Sequence, residues 1–194
     1  MRRRRALALL AAGVASALGR PAAAHITPPV VLVSDRDAVV ALLAGARRFF
    51  VREVRLTGPE RDAIRARSGW TPEEDLHRFY IGRDAEGRLV AAVIFLTEFT
   101  IHGPVRVAAA LGPDGRVRGA MVVELTEETY GWVKPLIDRD FTRRYVGLAA
   151  AGPLPEPPAA AESMGRFYGQ IVGALVRRAA LLLEEGVLKR GDAA

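Results

Sequence analysis

The segment Gly112-Pro113-Asp114-Gly115 leaves the backbone around it little choice. Proline presets one φ and the flanking glycines accept positive φ, so the chain reverses there. Val105 to Ala110 ahead of it is β-branched and small. Arg116 to Glu124 returns with Val117, Met121, Val122 and Val123. That pattern predicts a β-hairpin. A second hairpin is predicted upstream, from His77 to Arg83 around Phe79, Tyr80 and Ile81, through a turn at Asp84-Ala85-Glu86-Gly87, and back along Leu89 to Glu98. The returning arm is nearly continuous in apolar residues, as suits a strand covered on both faces.

Helical signals lie on either side of this β region. Ser34-Asp35-Arg36-Asp37 offers a capping-box variant, and Val39, Leu42, Leu43, Ala46 and Phe50 then recur at helical spacing, predicting a helix to about Val51. Thr57-Gly58-Pro59-Glu60 repeats the device and predicts a short helix that stops at Ser68-Gly69. Trp70 to Asp75 reads as a linker. Leu148 to Pro158 is a connector rich in Gly, Pro and Ala. From Ala159 to about Glu185 the stripe Met164, Phe167, Ile171, Leu175 and Leu182 predicts the longest helix, with Gly186 as its cap. Gly165, Gly169 and Gly173 recur every four residues along it. Each costs about 1 kcal/mol against alanine, so three in register imply close approach by a strand, a helix or a flat ligand. The expected fold class is α+β: a mainly antiparallel sheet of about four strands, flanked by N-terminal helices and a long C-terminal helix.

The first residues pattern as a leader. Arg2 to Arg5 are cationic, Ala6 to Gly19 small and apolar, and Ala22-Ala23-Ala24 resembles a cleavage site. Together they predict a cleavable export signal before His25, too short in its apolar run to span a bilayer. The expected organisation is a signal peptide over 1–24, a helical segment over 25–75, a main domain over 76–187 and a tail over 188–194. Five of the 28 basic residues and none of the 22 acidic ones fall in the leader, leaving 23 against 22 in the remainder. The basic pI therefore belongs to the leader and gives no reason to expect a nucleic-acid partner. The chain has no cysteine, which excludes disulfides, lipobox lipidation, c-type haem attachment and thiolate metal sites, and suits an oxidising periplasm.

Chemistry-bearing constellations are sparse. His25, His77 and His102 are scattered, so no metal is expected. No serine sits in a nucleophile elbow, and neither common nucleotide fingerprint occurs. This favours an electron-transfer or binding protein over a stand-alone enzyme.

The order glycine, strand, Asp-Gly turn, strand, a charged loop that closes on Glu128-Thr129-Tyr130-Gly131, and then a short aromatic and charged helix resembles the FMN-binding domain of bacterial extracytoplasmic redox complexes. The resemblance covers roughly Tyr80 to Glu185. It implies a flavin held between the Glu-Thr-x-Gly segment and the start of the last helix, and by position it assigns Glu128, Thr129, Gly131 and Ser163 to cofactor binding. Gly165 matches the family's glycine one place late. Ser163-Met164-Gly165-Arg166 stands where the family carries a Ser-Gly-Ala-Thr motif whose threonine binds FMN covalently. No hydroxyl falls at that place here, so FMN, if bound, is expected to be non-covalent, with Arg166 as a phosphate partner. The resemblance further implies a redox partner protein or membrane complex. A flavin-free domain of the same fold, serving as a binding or assembly partner, is the alternative.

Overall fold

The computed structural model describes residues 27–157 and 163–191. The predicted leader and the first residues expected of the last helix lie outside that range. The described chain is α+β. Its six-stranded antiparallel sheet has the order β1-β6-β5-β4-β3-β2. The strands are β1 (Pro29–Val31), β2 (Arg48–Arg55), β3 (Leu76–Arg83), β4 (Leu89–Thr100), β5 (Gly103–Leu111) and β6 (Val117–Thr126). The helices are α1 (Asp35–Leu42), α2 (Gly58–Ser68), α3 (Glu127–Ile137) and α4 (Ser163–Leu183). A 3-10 turn spans Phe141–Tyr145, and a π-helical turn, Glu184–Leu188, prolongs α4.

Both predicted hairpins are present, as β3–β4 and β5–β6. The sheet has two more strands than the expected four, one at each edge. β1 is the Pro-containing lead-in, hydrogen-bonded alongside β6. β2 corrects the predicted helix to Val51: α1 ends at Leu42, and the chain turns through Gly45 at φ +96°. Beyond that turn, Phe49-Phe50-Val51 is β-prone and pairs along β3. Residues before Asp75 thus supply both edges of the same sheet.

The two faces are covered unequally. α1 lies on one, where Ala38, Leu42 and Leu43 meet Ala91, Val93, Ala108, Ala110 and Val123. A Cβ at Gly82 would stand 2.9 Å from Ala46 Cβ, and one at Gly119 2.8 Å from Leu42, so the absence of side chains there lets this segment lie close. The opposite face carries the main core, in which Val172, Leu175, Val176 and Ala179 of α4 pack with Phe79, Ile94, Val107 and Leu111. The glycine line of α4 serves helix packing: a Cβ at Gly169 would press on Pro157 and Leu136, and one at Gly173 would stand 2.9 Å from the Tyr145 hydroxyl. Burial pushes that phenol up to about 12. Gly186 is not the expected helix cap; it is buried within the π turn, where a Cβ would meet the Phe79 ring at 2.9 Å.

α2 begins and ends as its sequence predicts, with Pro59 in the first turn and a left-handed Gly69 at its end. Glu60 accepts from the Thr57 N–H at 2.7 Å and from the Arg190 guanidinium at 2.6 Å. Arg190, then Thr57, holds the Glu60 carboxyl at about 2, against an ordinary 4.5. A carboxylate whose pKa is depressed on folding stabilises the fold above its unfolded value, and that stability is lost as pH falls toward the folded value. Glu60→Gln is therefore expected to cost about 1–2 kcal/mol near neutral pH. The gap to the parent protein should close between pH 4.5 and about 2 in thermal melts taken across that range. A gap constant across that range would contradict the assignment.

Candidate functional site

β4 passes into β5 through a tight turn, Thr100 to Gly103, built on one hydroxyl. Thr100 Oγ1 donates to the Gly103 carbonyl at 2.8 Å and accepts from the His102 N–H at 3.2 Å. Because its own proton is spent, the Tyr168 hydroxyl is the donor in its 3.1 Å contact with Thr100 Oγ1. Tyr168 is fully buried on α4, and burial raises its pKa despite that bond.

The turn is also gripped from α3. Thr126 Oγ1 donates to the His102 carbonyl at 2.8 Å. The same oxygen caps α3 by accepting from the Thr129 N–H at 3.3 Å, while Thr129 Oγ1 accepts from the Thr126 N–H at 3.0 Å. This reciprocal box starts the helix at Glu127, so Glu128 to Gly131, read in sequence as the close of a loop, is the first part of α3.

Between the turn and the start of α3 lies an open groove of about 740 Å³. Its walls include Thr100, His102, Gly103, Thr126, Glu127 and Glu128. His102 Nδ1 is 3.3 Å from Glu128 Oε2. The imidazole meets the Trp132 indole edge-on at 5.0 Å, and Trp132 stacks on Tyr168 at 5.7 Å with 26° between the ring planes. Ile101, which lines the groove, is 96% exposed, and Phe99, which lines a separate hollow with Trp70 and Arg178, is 81% exposed. The arrangement puts a carboxylate–imidazole couple on the groove, with Trp132 and Tyr168 packed behind the imidazole. It can bind a planar ligand with polar edges, and among the described residues no group of His, Asp and Glu is placed to hold a metal.

The residues singled out from sequence divide between this groove and the start of α4. Glu128 lines the groove. Gly131 is exposed one turn further along the same face of α3, with no atom within 4 Å of where a Cβ would be. Pro135, four residues on, has no N–H to give the Gly131 carbonyl. Thr129 is fully buried and its hydroxyl is committed to the cap. Ser163, Gly165 and Arg166 fall in the first turn of α4 and do not line the groove; Ser163 and Arg166 are exposed and Gly165 is buried. Thr100 was not singled out from sequence, nor was the bond that joins it to Tyr168. Tyr168 reaches Thr100 across 68 positions, a pairing that no local pattern signals.

No protein-family model matches the chain. No curated protein matches it either. Among solved structures it is similar to Shewanella oneidensis NqrC, at 16% identity and a TM-score of 0.48, over 76% of this chain and 86% of that one. A likeness at this level says nothing by itself about ligand or activity.

Proposed function

We propose that this chain is an exported domain of the FMN-binding type, serving electron transfer in or beside a membrane redox complex, with its flavin held non-covalently. The observation that carries the reading is the groove beside the His102–Trp132 wall. Its volume, about 740 Å³, suits a flat organic ligand. It sits against the Glu128-Thr129-Tyr130-Gly131 segment that carries the family resemblance. The leader pattern and the cysteine-free composition support export.

The donor set fits a non-covalent flavin better than a covalent one. The Thr129 hydroxyl is sealed within the α3 cap. The hydroxyls of Thr100 and Thr126 are committed to backbone carbonyls. In this reading Glu128, His102 and the Gly131 carbonyl meet the polar edge of the ring, and Trp132 excludes water from one side. The N–H groups of Ser163 and Gly165, with Arg166, take the phosphate at the positive end of α4. The flavin supplies the redox chemistry, and the protein tunes it through the Glu127 and Glu128 charges.

The test is a fluorescence titration of the purified protein with FMN and with riboflavin. FMN is expected to bind and to be released on denaturation. Arg166→Ala should weaken FMN about tenfold while leaving riboflavin unchanged, a loss of about 1.4 kcal/mol. Equal weakening of both would remove Arg166 from the phosphate site, and no binding of either by the parent protein would overturn the flavin reading.

One observation favours the second reading, a flavin-free partner-binding domain. The Trp132–Tyr168 stack occupies the space between α3 and α4, where the resemblance places the ring. The exposed Phe99 and Ile101 would then be contact residues for a partner protein.

A further inference from the structure

The β3–β4 ladder stops short. It runs from Arg83–Leu89 to Tyr80–Val93 and no further. β3 nevertheless continues beside β2 to Leu76, and β4 beside β5 to Thr100. Past Tyr80–Val93 the sheet therefore divides into two leaves, the start of β3 with β2 and the end of β4 with β5. The Leu56 N–H donates to the Asp75 carbonyl at 2.8 Å, which fixes the alternation: even-numbered residues of β3 bond toward β4. Leu76 and Arg78 are thus turned toward Phe95 and Thr97 across the division without pairing. A hollow opens there on each side, one of about 350 Å³ that reaches Asp35 and Arg106, the other of about 570 Å³ that reaches Trp70 and Arg178. Glu74, His77, Phe95 and Leu96 line both.

His77 is the strained member of that set. It is 6% exposed, and its Nε2 is buried with no hydrogen-bond partner among the described residues. A neutral imidazole can keep that nitrogen as a bare acceptor, whereas a protonated one sets a buried N–H donor there with nothing to accept it. Burial accordingly holds its pKa below the ordinary 6.5, against the pull of the Glu74 backbone and of the Glu74 and Asp75 charges. The charges around it are largely matched. Arg78 pairs with Glu53 of β2, Arg106 of β5 with Asp35 of α1, and Arg178 of α4 with Glu98 of β4. Asp75 pairs with Arg61 of α2 and with Arg55. The Tyr80 phenol ring packs edge-on against Phe95. Glu73 and Glu74 are the lining carboxylates outside these pairs.

We propose that the division between the leaves is an acid-sensitive joint: a proton taken up by His77 unzips the Tyr80–Val93 pair and parts the β2–β3 leaf from β4. The leaf is tied to α2 through Asp75 and to β4 only as far as Tyr80–Val93, so that pair is where it gives way. Parting the leaves brings Nε2 to water, where the imidazolium N–H finds an acceptor. The open form takes its proton at the ordinary imidazole value and the closed form only at lower pH, so acidity favours opening. The closed joint keeps its full stability above pH 6.5 and loses it as pH falls below, the opening equilibrium rising about tenfold for each pH unit down to the lowered value. The β4–β5 ladder is not part of the joint, and the device does not depend on whether flavin is bound.

The test is amide hydrogen exchange by NMR, corrected for intrinsic rates, in steps from about pH 7.5 to about pH 4.5. Tyr80 and Val93 bond each other across the last ladder pair, and their protection is expected to fall with pH below 6.5 in the parent protein. Ile94 and Ala109, paired between β4 and β5, should hold theirs. In His77→Leu, neutral at every pH, Tyr80 and Val93 should be equally protected across the range; His77→Gln, also neutral, serves if the leucine variant fails to fold. Protection at Tyr80 and Val93 that ignores pH in the parent would overturn the proposal. So would the same pH dependence in a folded His77 variant, or a loss shared by Ile94 and Ala109, which would mark unfolding of the sheet instead of a joint.

Discussion

Gly103→Ala is expected to lower the melting temperature by roughly 5–10 °C, from a loss of about 2–3 kcal/mol. Two causes add. Gly103 holds φ at +99°, a conformation that side chains with a Cβ rarely adopt. The new methyl would also fall deep inside contact distance of Thr126 Cγ2. Thr126 has little freedom to retreat, because its hydroxyl holds the His102 carbonyl and caps α3 at once. The two causes separate by experiment. Thr126→Ser removes the Cγ2 methyl while keeping the hydroxyl, so in the Gly103→Ala background it should recover part of the loss. The remainder, on the order of 1–2 kcal/mol, is the backbone conformation alone. A Gly103→Ala protein that melts with the parent, or a double variant no better than the single, would show that the turn is not held as described. Because the same contact sets the groove wall, the single variant should also weaken FMN in the titration above.

What the sequence made legible follows from how local the signals are. The Gly112-Pro113-Asp114-Gly115 reversal and the Thr57-to-Gly69 helix rest on residues within a few positions of each other, and both stand as read. The helix expected to run to Val51 fails for the opposite reason. Val39, Leu42 and Leu43 do lie on one helical face, but Ala46 and Phe50 continue that spacing by coincidence through the Gly45 turn into β2. The start of α3 was obscured by chemistry. Thr126 and Thr129 form the cap with two hydroxyls where an acid is commonly found, so the adjacent acidic residues read as a loop. The resemblance named Glu128, which lines the groove, and the Ser163-to-Arg166 segment, which does not. It could not point to Thr100, because a β4 hydroxyl becomes part of the site only when the sheet brings it to Tyr168 of α4.

Tyr168→Ala should be the most destabilising single change in this region, costing about 3–5 kcal/mol and lowering the melting temperature by roughly 10–15 °C. The side chain is fully buried, stacks on Trp132, meets Phe167 edge-on at 5.4 Å and donates to Thr100. Tyr168→Phe keeps the ring and loses only the hydrogen bond, so about 1 kcal/mol is expected. The pair divides packing from polarity, and it also divides the two functional readings. If Tyr168 supports the His102–Trp132 wall from behind, Tyr168→Phe binds FMN nearly as the parent does, and Tyr168→Ala binds it more weakly as the wall loosens. If Tyr168 is instead a plug in a former flavin slot, the parent binds no FMN and Tyr168→Ala, opening that slot, gains affinity. The flavin titration, run on both variants below their melting temperatures, separates these outcomes by sign. A loss of affinity in Tyr168→Ala is the result expected here, and a gain would establish the flavin-free partner domain in its place.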